Sequence, residues 1–305
     1  MKKLLVIALC LVMLFTFTAC SSYQFLSNSK VKSLVKKYSE NGKLPQVEMT
    51  LSYKTSKNST PMQIKVVYEL LLDKTPISVI SFINLLNEGR YDNIVVDSKS
   101  TNHLSIGRFT YMAPTSDDSS SDQRAVSGIT PDKQEERLYL FAKNYGTFAG
   151  EFKNNNFKPY GKAAEGDDGF TKFDMFSLAM YHDVANSKSN DKDQQAEYKR
   201  AYNSADGRLM LSLGTTQNGD APSYKDYAVF ARPISFSVSI DGGEFSNPVA
   251  QLDAYLLNQI RSVSSKTITI SGTNYAPIQI DVSFQMVAGN IDWANIKDNY
   301  LVVAE

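Results

Sequence analysis

Cysteine is almost absent from this 305-residue sequence, and its only two cysteines, Cys10 and Cys20, lie within the first 20 residues. Beyond that point the chain has no thiol for a disulfide or for a cysteine-based metal site. A folded body without disulfides has to be held together by its hydrophobic core. The chain is long enough to bury such a core, as one large domain or as two.

Other absences narrow the function. Basic and acidic residues number 32 each, so the net charge of zero provides no electrostatic surface for nucleic acid. The two histidines, His103 and His182, lack the spacing of a zinc motif. Neither a G-x-x-x-x-G-K-S/T phosphate loop nor a G-x-S-x-G nucleophile motif occurs, and the acidic clusters lack the glycine and glutamate of a calcium loop. We expect no nucleic-acid partner, no metal and no cofactor.

The start of the chain has the pattern of an export signal. Two lysines precede an apolar run from Leu4 to Phe17, which is shorter than the about 20 apolar residues of a membrane-spanning helix. The run leads into Phe-Thr-Ala-Cys at Cys20, which resembles the lipobox of bacterial lipoproteins, where the cysteine receives a diacylglyceryl group. We therefore expect residues 1–19 to be a signal peptide and Cys20 to anchor the protein in the cell membrane, on the extracytoplasmic face. An ordinary cleaved signal with a chance cysteine is the alternative.

Three further parts follow the predicted signal peptide. Residues 20–45, from the lipidated cysteine onward, are polar and predict a tether. A short basic helical pattern lies within it, and its lysines would contact anionic lipid headgroups if the tether lay on the membrane; an ordinary solvated tether is the simpler interpretation. Residues 46–288 predict the folded domain, and residues 289–305 a C-terminal extension. Polar stretches at 114–124 and 187–205 predict long loops.

The apolar pattern predicts a mainly β domain. Apolar and polar residues alternate over 47–53 and 278–286, which indicates half-buried strands. Helical spacing predicts two substantial helices, near 76–88 and 248–262; Pro76 suits a first turn and a glycine follows the first helix. Many strands with two helices favour a closed antiparallel β-barrel of about eight strands, capped by the helices and carrying long polar loop insertions.

Several short motifs in a fixed order carry a family resemblance. Residues 64–92 contain D-K-T-P, a helix with Phe82, and E-G-R-Y-D, which resembles the opening of a cyclophilin. Segments 150–152, 176–179 and 227–232 are similar to the family's later P-x-E-F, L-S-M-A and y-a-V-F-G-x motifs. The resemblance spans roughly residues 46–288. It implies a cyclophilin-like barrel and peptidyl-prolyl cis–trans isomerase activity in protein folding, with a proline-containing peptide or protein segment as partner.

The catalytic positions that the resemblance implies are changed. In cyclophilins an arginine donates to the prolyl nitrogen as the amide rotates over a barrier of about 18–20 kcal/mol. Ser98 stands at that position here, and a neutral donor is weaker than a charged one. The other positions that align with the family's pocket are Leu104, Ile106, Ala179, Met210 and Tyr227. Only Ala179 and Tyr227 retain the family's chemistry.

One arginine is a candidate substitute. Arg108 is two residues from Ile106, hence on the same face of a regular strand; an ordinary surface arginine is the simpler interpretation. We expect a membrane-anchored cyclophilin-like protein whose isomerase activity is weak or lost. The alternative is a non-catalytic surface lipoprotein that binds peptides or proteins on the same scaffold. A solute-binding lipoprotein is less favoured, because the chain lacks alternating strands and helices.

We predict that lipid attachment depends on Cys20. Cys20→Ser removes the sulfur that receives the diacylglyceryl group and should leave a product without an acyl anchor in the membrane. Metabolic labelling with a fatty acid measures the difference. Labelling of the variant as strong as that of the wild type would contradict the lipobox interpretation.

Overall fold

The computed structural model describes the following residues: 25–53, 62–87, 89–92, 94–111, 126–128, 150–181, 207–240, 243–247, 263, 268–270, 273–275 and 278–289. Two helices lie in this part of the chain, α1 (Asn28–Tyr38) and α2 (Pro76–Asn87). Its strands are β1 (Gln46–Tyr53), β2 (Met62–Leu70), β3 (Ile94–Lys99), β4 (His103–Tyr111), β5 (Val126–Gly128), β6 (Leu178–Met180), β7 (Leu209–Ser212), β8 (Val229–Ile240), β9 (Gly243–Asn247), β10 (Ile268–Ile270), β11 (Thr273–Tyr275) and β12 (Ile278–Ala288).

Eight of these strands form a closed antiparallel barrel. Their order around the ring is β2-β1-β12-β3-β4-β7-β6-β8, and pairing of β2 with β8 closes it. The last strand, β12, therefore lies between β1 and β3. Strands β5 and β9 extend the sheet beside β4 and β8, and β10 and β11 form a separate pair. The predicted fold class, a mainly β closed barrel of about eight strands with two helices, is confirmed.

Alternating side chains fill the barrel. On β1 every second residue is buried, including Val47, Met49 and Leu51, while the residues between them are half-buried. Strand β2 repeats the pattern. Because successive strand residues point to opposite faces, these strands place one apolar set in the interior and a polar set outside.

Helix α2 is a buried plug rather than a surface helix. Nine of its 12 residues are buried, which is typical of a helix that is apolar on nearly every side. The Phe82 ring lies 5.2, 5.1 and 5.3 Å from the rings of Tyr91, Phe230 and Phe284 and so joins the helix to β8 and β12. Gly89, at φ +66°, follows the helix in the left-handed conformation that favours glycine. The helix predicted near 76–88 is confirmed.

Helix α1 differs from the predicted polar tether. One face of this helix is buried in the main barrel core through Val31, Leu34 and Tyr38. These residues recur at helical spacing and so form a single apolar stripe. The preceding Ser27 side chain accepts a hydrogen bond from the Lys30 amide at 3.4 Å and caps the first turn. The folded body therefore begins well before residue 46.

Other predictions fall outside the described residues. These are the signal peptide with Cys20, the loops at 114–124 and 187–205, and the helix near 248–262. Among the residues that the structure does describe, no helix has the length and apolar character needed to cross a membrane.

Candidate functional site

The outer face of strands β4, β7 and β6 carries a row of aligned residues. Ser105 on β4 pairs with Met210 on β7, and Met210 pairs in turn with Ala179 on β6. Paired residues of antiparallel strands project to the same side. The structure thus brings two of the predicted pocket positions, Ala179 and Met210, next to each other.

An apolar cluster surrounds this pair and is separate from the barrel core. We call it the outer cluster; its buried members are Leu71, Phe173, Ala179, Met210 and Val229. Four half-buried residues pack against it: Tyr181, Ala221, Tyr224 and Tyr227. Tyr227, another predicted pocket position, therefore joins Ala179 and Met210. Ala179 and Met210 are fully buried, at 0 % exposure, so neither offers surface to a ligand in this structure.

Two predicted pocket positions, Leu104 and Ile106, lie on the opposite face. Both are fully buried in the barrel core, where Leu104 pairs with Leu211 and Ile106 with Leu209. The physical reason is the strand period: burial of these large apolar side chains turns the residue between them outward. Ser105 therefore occupies the outer face, and the structure does not bring Leu104 and Ile106 together with Ala179 and Met210 as predicted.

Strand β3 is irregular next to Ser98, the residue predicted to stand at the position of the cyclophilin arginine. Val96 pairs with Ile106 and Ser98 with Ser105, so two steps along β3 match one step along β4. This mismatch indicates a β-bulge at Asp97. Asp97 is buried, whereas Ser98 is exposed. The position offers a short neutral hydroxyl at the surface.

The strand between Ile106 and Arg108 is not regular, although the prediction that both residues share one face assumed that it was. Gly107 between them has φ +107°, and the register of β3 with β4 shifts between the Val96–Ile106 pair and the next pair, Ile94 with Thr110. The backbone of Arg108 belongs to β4, and its side chain is outside the described part. A regular alternation across Gly107 is therefore no basis for placing Arg108 at the pocket.

A different arginine borders the outer cluster. Arg208 immediately precedes β7, two residues before Met210, which places it on the outer face. Its guanidinium carbon lies 4.6 Å from the centre of the Tyr181 ring, a cation–π contact. The Arg208 carbonyl also accepts a hydrogen bond from the Tyr181 amide at 2.8 Å. The sequence analysis did not identify Arg208 as a candidate; its spacing of two residues from Met210 was the signal that could have identified it.

A polar network holds one of the tyrosines on the cluster. Oδ2 of Asp168 accepts hydrogen bonds from the Tyr224 hydroxyl at 3.1 Å and from Lys153 Nζ at 3.2 Å. Burial alone would raise the pKa of Asp168, but hydrogen bonds from Lys153, the Phe170 amide and Tyr224 together lower it. The carboxylate thus links the segment after Lys153 to the loop that carries Tyr224.

Glu151 organises the start of helix α2. Its Oε1 accepts from the Ile77 amide at 3.1 Å, and its Oε2 accepts from the Ser78 amide and hydroxyl at 2.9 and 3.0 Å. These amides are among the helix donors that lack an intrahelical partner. Burial raises the pKa of Glu151 to about 8, although the hydrogen bonds from Ser78 and Ile77 oppose the shift. In the sequence, residues 150–152 were noted only as similar to a cyclophilin motif. The hydrogen bonds of Glu151 to the start of helix α2 were not predicted.

The sequence was compared with protein-family models and with curated proteins. The chain matches no family model and no curated protein. Within the described residues, no group of three or more histidine, cysteine, aspartate or glutamate side chains is placed to hold a metal ion. The chemistry that the described site offers is apolar and aromatic contact bordered by one guanidinium.

We predict that Glu151 makes folding stability depend on pH. Its pKa of about 8 in the folded protein lies above the ordinary 4.5, so the folded state binds the proton more tightly than the unfolded state. This contribution is fully present below the unfolded pKa and is lost as the pH rises through about 8. Thermal unfolding measured across this range should show a falling midpoint for the wild type and a smaller fall for Glu151→Gln.

Two further variants serve as controls for this prediction. Glu165→Gln changes an exposed carboxyl and should retain the wild-type pH profile. Glu151→Ala leaves the Ile77 and Ser78 amides without their acceptor and should cost about 1–3 kcal/mol of unfolding free energy. Equal pH profiles for the wild type and Glu151→Gln would contradict the assignment.

Proposed function

We propose that this protein is a lipid-anchored, cyclophilin-like surface protein, related to peptidyl-prolyl cis–trans isomerases, that binds peptide or protein segments with little or no catalysis. The cyclophilin-like motif order and the closed eight-stranded barrel support the scaffold. The observation that carries the loss of catalysis is the complete burial of Ala179 and Met210. The lipobox-like sequence at Cys20 supports a location on the extracytoplasmic face of the cell membrane.

Catalysis would need two features at the outer cluster. One is an open apolar floor for the prolyl ring, and Ala179 and Met210 have no exposed surface. The other is a charged donor to the prolyl nitrogen, and Ser98 offers a neutral hydroxyl on an exposed bulge. Loss of one positioned donor alone costs a factor of ~100–1,000 in rate. The two changes act in the same direction.

Binding of a peptide without turnover requires neither an open floor for the prolyl ring nor a charged donor. The half-buried rings of Tyr181, Tyr224 and Tyr227 offer aromatic surface beside the cluster. Tyrosine is favoured at protein interfaces, because it provides a large apolar area and a hydroxyl with few rotatable bonds. The Tyr224 hydroxyl donates to the Asp168 carboxylate, so the Tyr224 side chain is already ordered before a segment binds. Binding then costs less side-chain entropy.

Residual isomerase activity is the second candidate function, and Arg208 favours it. Its guanidinium lies on the same outer face as Met210 and is held against the Tyr181 ring at 4.6 Å. A guanidinium is a strong, permanently charged donor.

We predict that proline isomerisation is at least ~100-fold slower than with a typical cyclophilin, a loss of about 2.7 kcal/mol in transition-state stabilisation. A protease-coupled assay on a proline tetrapeptide measures the rate, with Arg208→Ala and Arg108→Ala as matched variants. Robust activity that neither variant changes would refute the proposal. Activity that only Arg208→Ala abolishes would establish the second candidate, and activity that only Arg108→Ala abolishes would restore the prediction from the sequence.

We predict further that the tyrosine surface binds proline-containing peptides. Fluorescence titration of the protein with a library of such peptides should detect binding, and Tyr227→Ala should weaken it at least about tenfold, because interface aromatics carry a large share of binding energy. Tyr53→Ala, which alters a buried core tyrosine away from the outer cluster, controls for loss of folding. Binding unaffected by Tyr227→Ala would place the ligand elsewhere on the protein.

A further inference from the structure

Helix α1 presents a strongly basic exposed face. All four of its lysines are exposed: Lys30, Lys32, Lys36 and Lys37. No acidic residue occurs between Cys20 and Ser39, although the chain as a whole has a net charge of zero. Four of the chain's 32 basic residues therefore lie on this helix, in a segment without acidic residues.

The lysines are held in a fixed direction. The opposite face of α1 is buried in the main core through Val31, Leu34 and Tyr38. The helix start is also fastened to a neighbouring segment, where the Phe25 and Phe157 rings lie 4.8 Å apart. A helix anchored on one side by apolar burial cannot turn its lysines inward without losing that burial.

The neighbouring segment adds two more exposed lysines. Gly161 donates its amide to the Asn28 side-chain oxygen at 3.5 Å, which places this segment beside the start of α1. Lys158 and Lys162 flank that contact and are exposed. We call the combined surface the basic face; it consists of Lys30, Lys32, Lys36, Lys37, Lys158 and Lys162.

The position of Cys20 in the chain limits where this face can lie. Only residues 21–27 separate Cys20 from the first residue of α1. Even fully extended, these eight peptide steps span at most about 29 Å. A short connection to a lipid anchor keeps the basic face at high effective concentration near the bilayer surface, and each lysine close to anionic lipid adds to the attraction.

We propose that the basic face docks on anionic phospholipid headgroups of the same membrane that holds the acyl anchor. This inference rests on the lipid anchor of the proposed function. One acylated cysteine attaches the chain to the membrane at a single point and leaves the orientation of the folded protein free. A charged face on a rigid helix also fixes that orientation. Docking through α1 therefore fixes the orientation of the barrel relative to the membrane.

The test uses the full acylated protein in liposomes. One set contains phosphatidylcholine alone, and the other also contains phosphatidylglycerol. Acetylation of each lysine is followed by mass spectrometry. Lys32 and Lys36 should react at least about fivefold more slowly on the anionic liposomes, and salt near 1 M should abolish this protection because it shortens the screening length to about 3 Å. Lys172 and Lys225, exposed elsewhere, should react equally on both.

Matched variants separate docking from general charge loss. Lys32→Gln with Lys36→Gln should remove the protection of Lys30 and Lys37 on anionic liposomes, whereas Lys172→Gln with Lys225→Gln should preserve it. Equal reactivity on both liposomes, or equal protection on both, would overturn docking on anionic lipid. If the mass spectrum shows the acyl group, such a result leaves the anchor intact; absence of the acyl group overturns the anchor and this inference together.

Discussion

Pairing of β2 with β8 closes the barrel, and this closure leaves each side chain of the ring only two directions, inward or outward. Interior space goes to the large apolar residues, so Leu104 and Ile106 are directed inward. The residue between them, Ser105, then faces outward beside Met210. The chemistry of the outer face is therefore decided by what the core requires of every second residue.

This separation of faces allows the outer residues to vary while the barrel is kept. The barrel core and the outer cluster are distinct sets of residues, joined mainly through the backbone of β6, β7 and β8. Substitutions on the outer face change contacts there and leave the interior packing intact. A fold of this kind is therefore compatible with several functions, and the function has to be argued from the outer residues.

The sequence predicted the elements whose pattern is unambiguous. Strand β1 and helix α2 followed from alternation and from continuous apolar spacing, and the closed barrel followed from their combination with the motif order. The stretch from His103 to Ile106 was harder, because a polar residue between two apolar ones fits either face until the neighbouring strand is known. The motif alignment grouped Leu104 and Ile106 with Met210, whereas the pairing of β4 with β7 places Ser105 on the face of Met210.

The packing of helix α1 on the core and the capping role of Glu151 were missed for a different reason. The polar composition of residues 20–45 concealed the three apolar residues that dock α1, since a narrow buried stripe contributes little to an average. Glu151 lies 73 residues from Ser78 in sequence, and no local pattern connects a carboxylate to a helix start at that separation. Cys20 and the helix near 248–262 lie outside the described residues and stay predictions.

The place of β12 in the ring has a consequence for how the chain acquires its structure. Strand β12, formed by residues near the C-terminal end, lies between β1 and β3 from the first third of the chain. A chain that emerges with its N-terminus first therefore exposes two unpaired strand edges until residue 288 is present. Such edges are templates for aggregation, and contacts so distant in sequence form slowly. Closure of the barrel consequently waits until β12 is present.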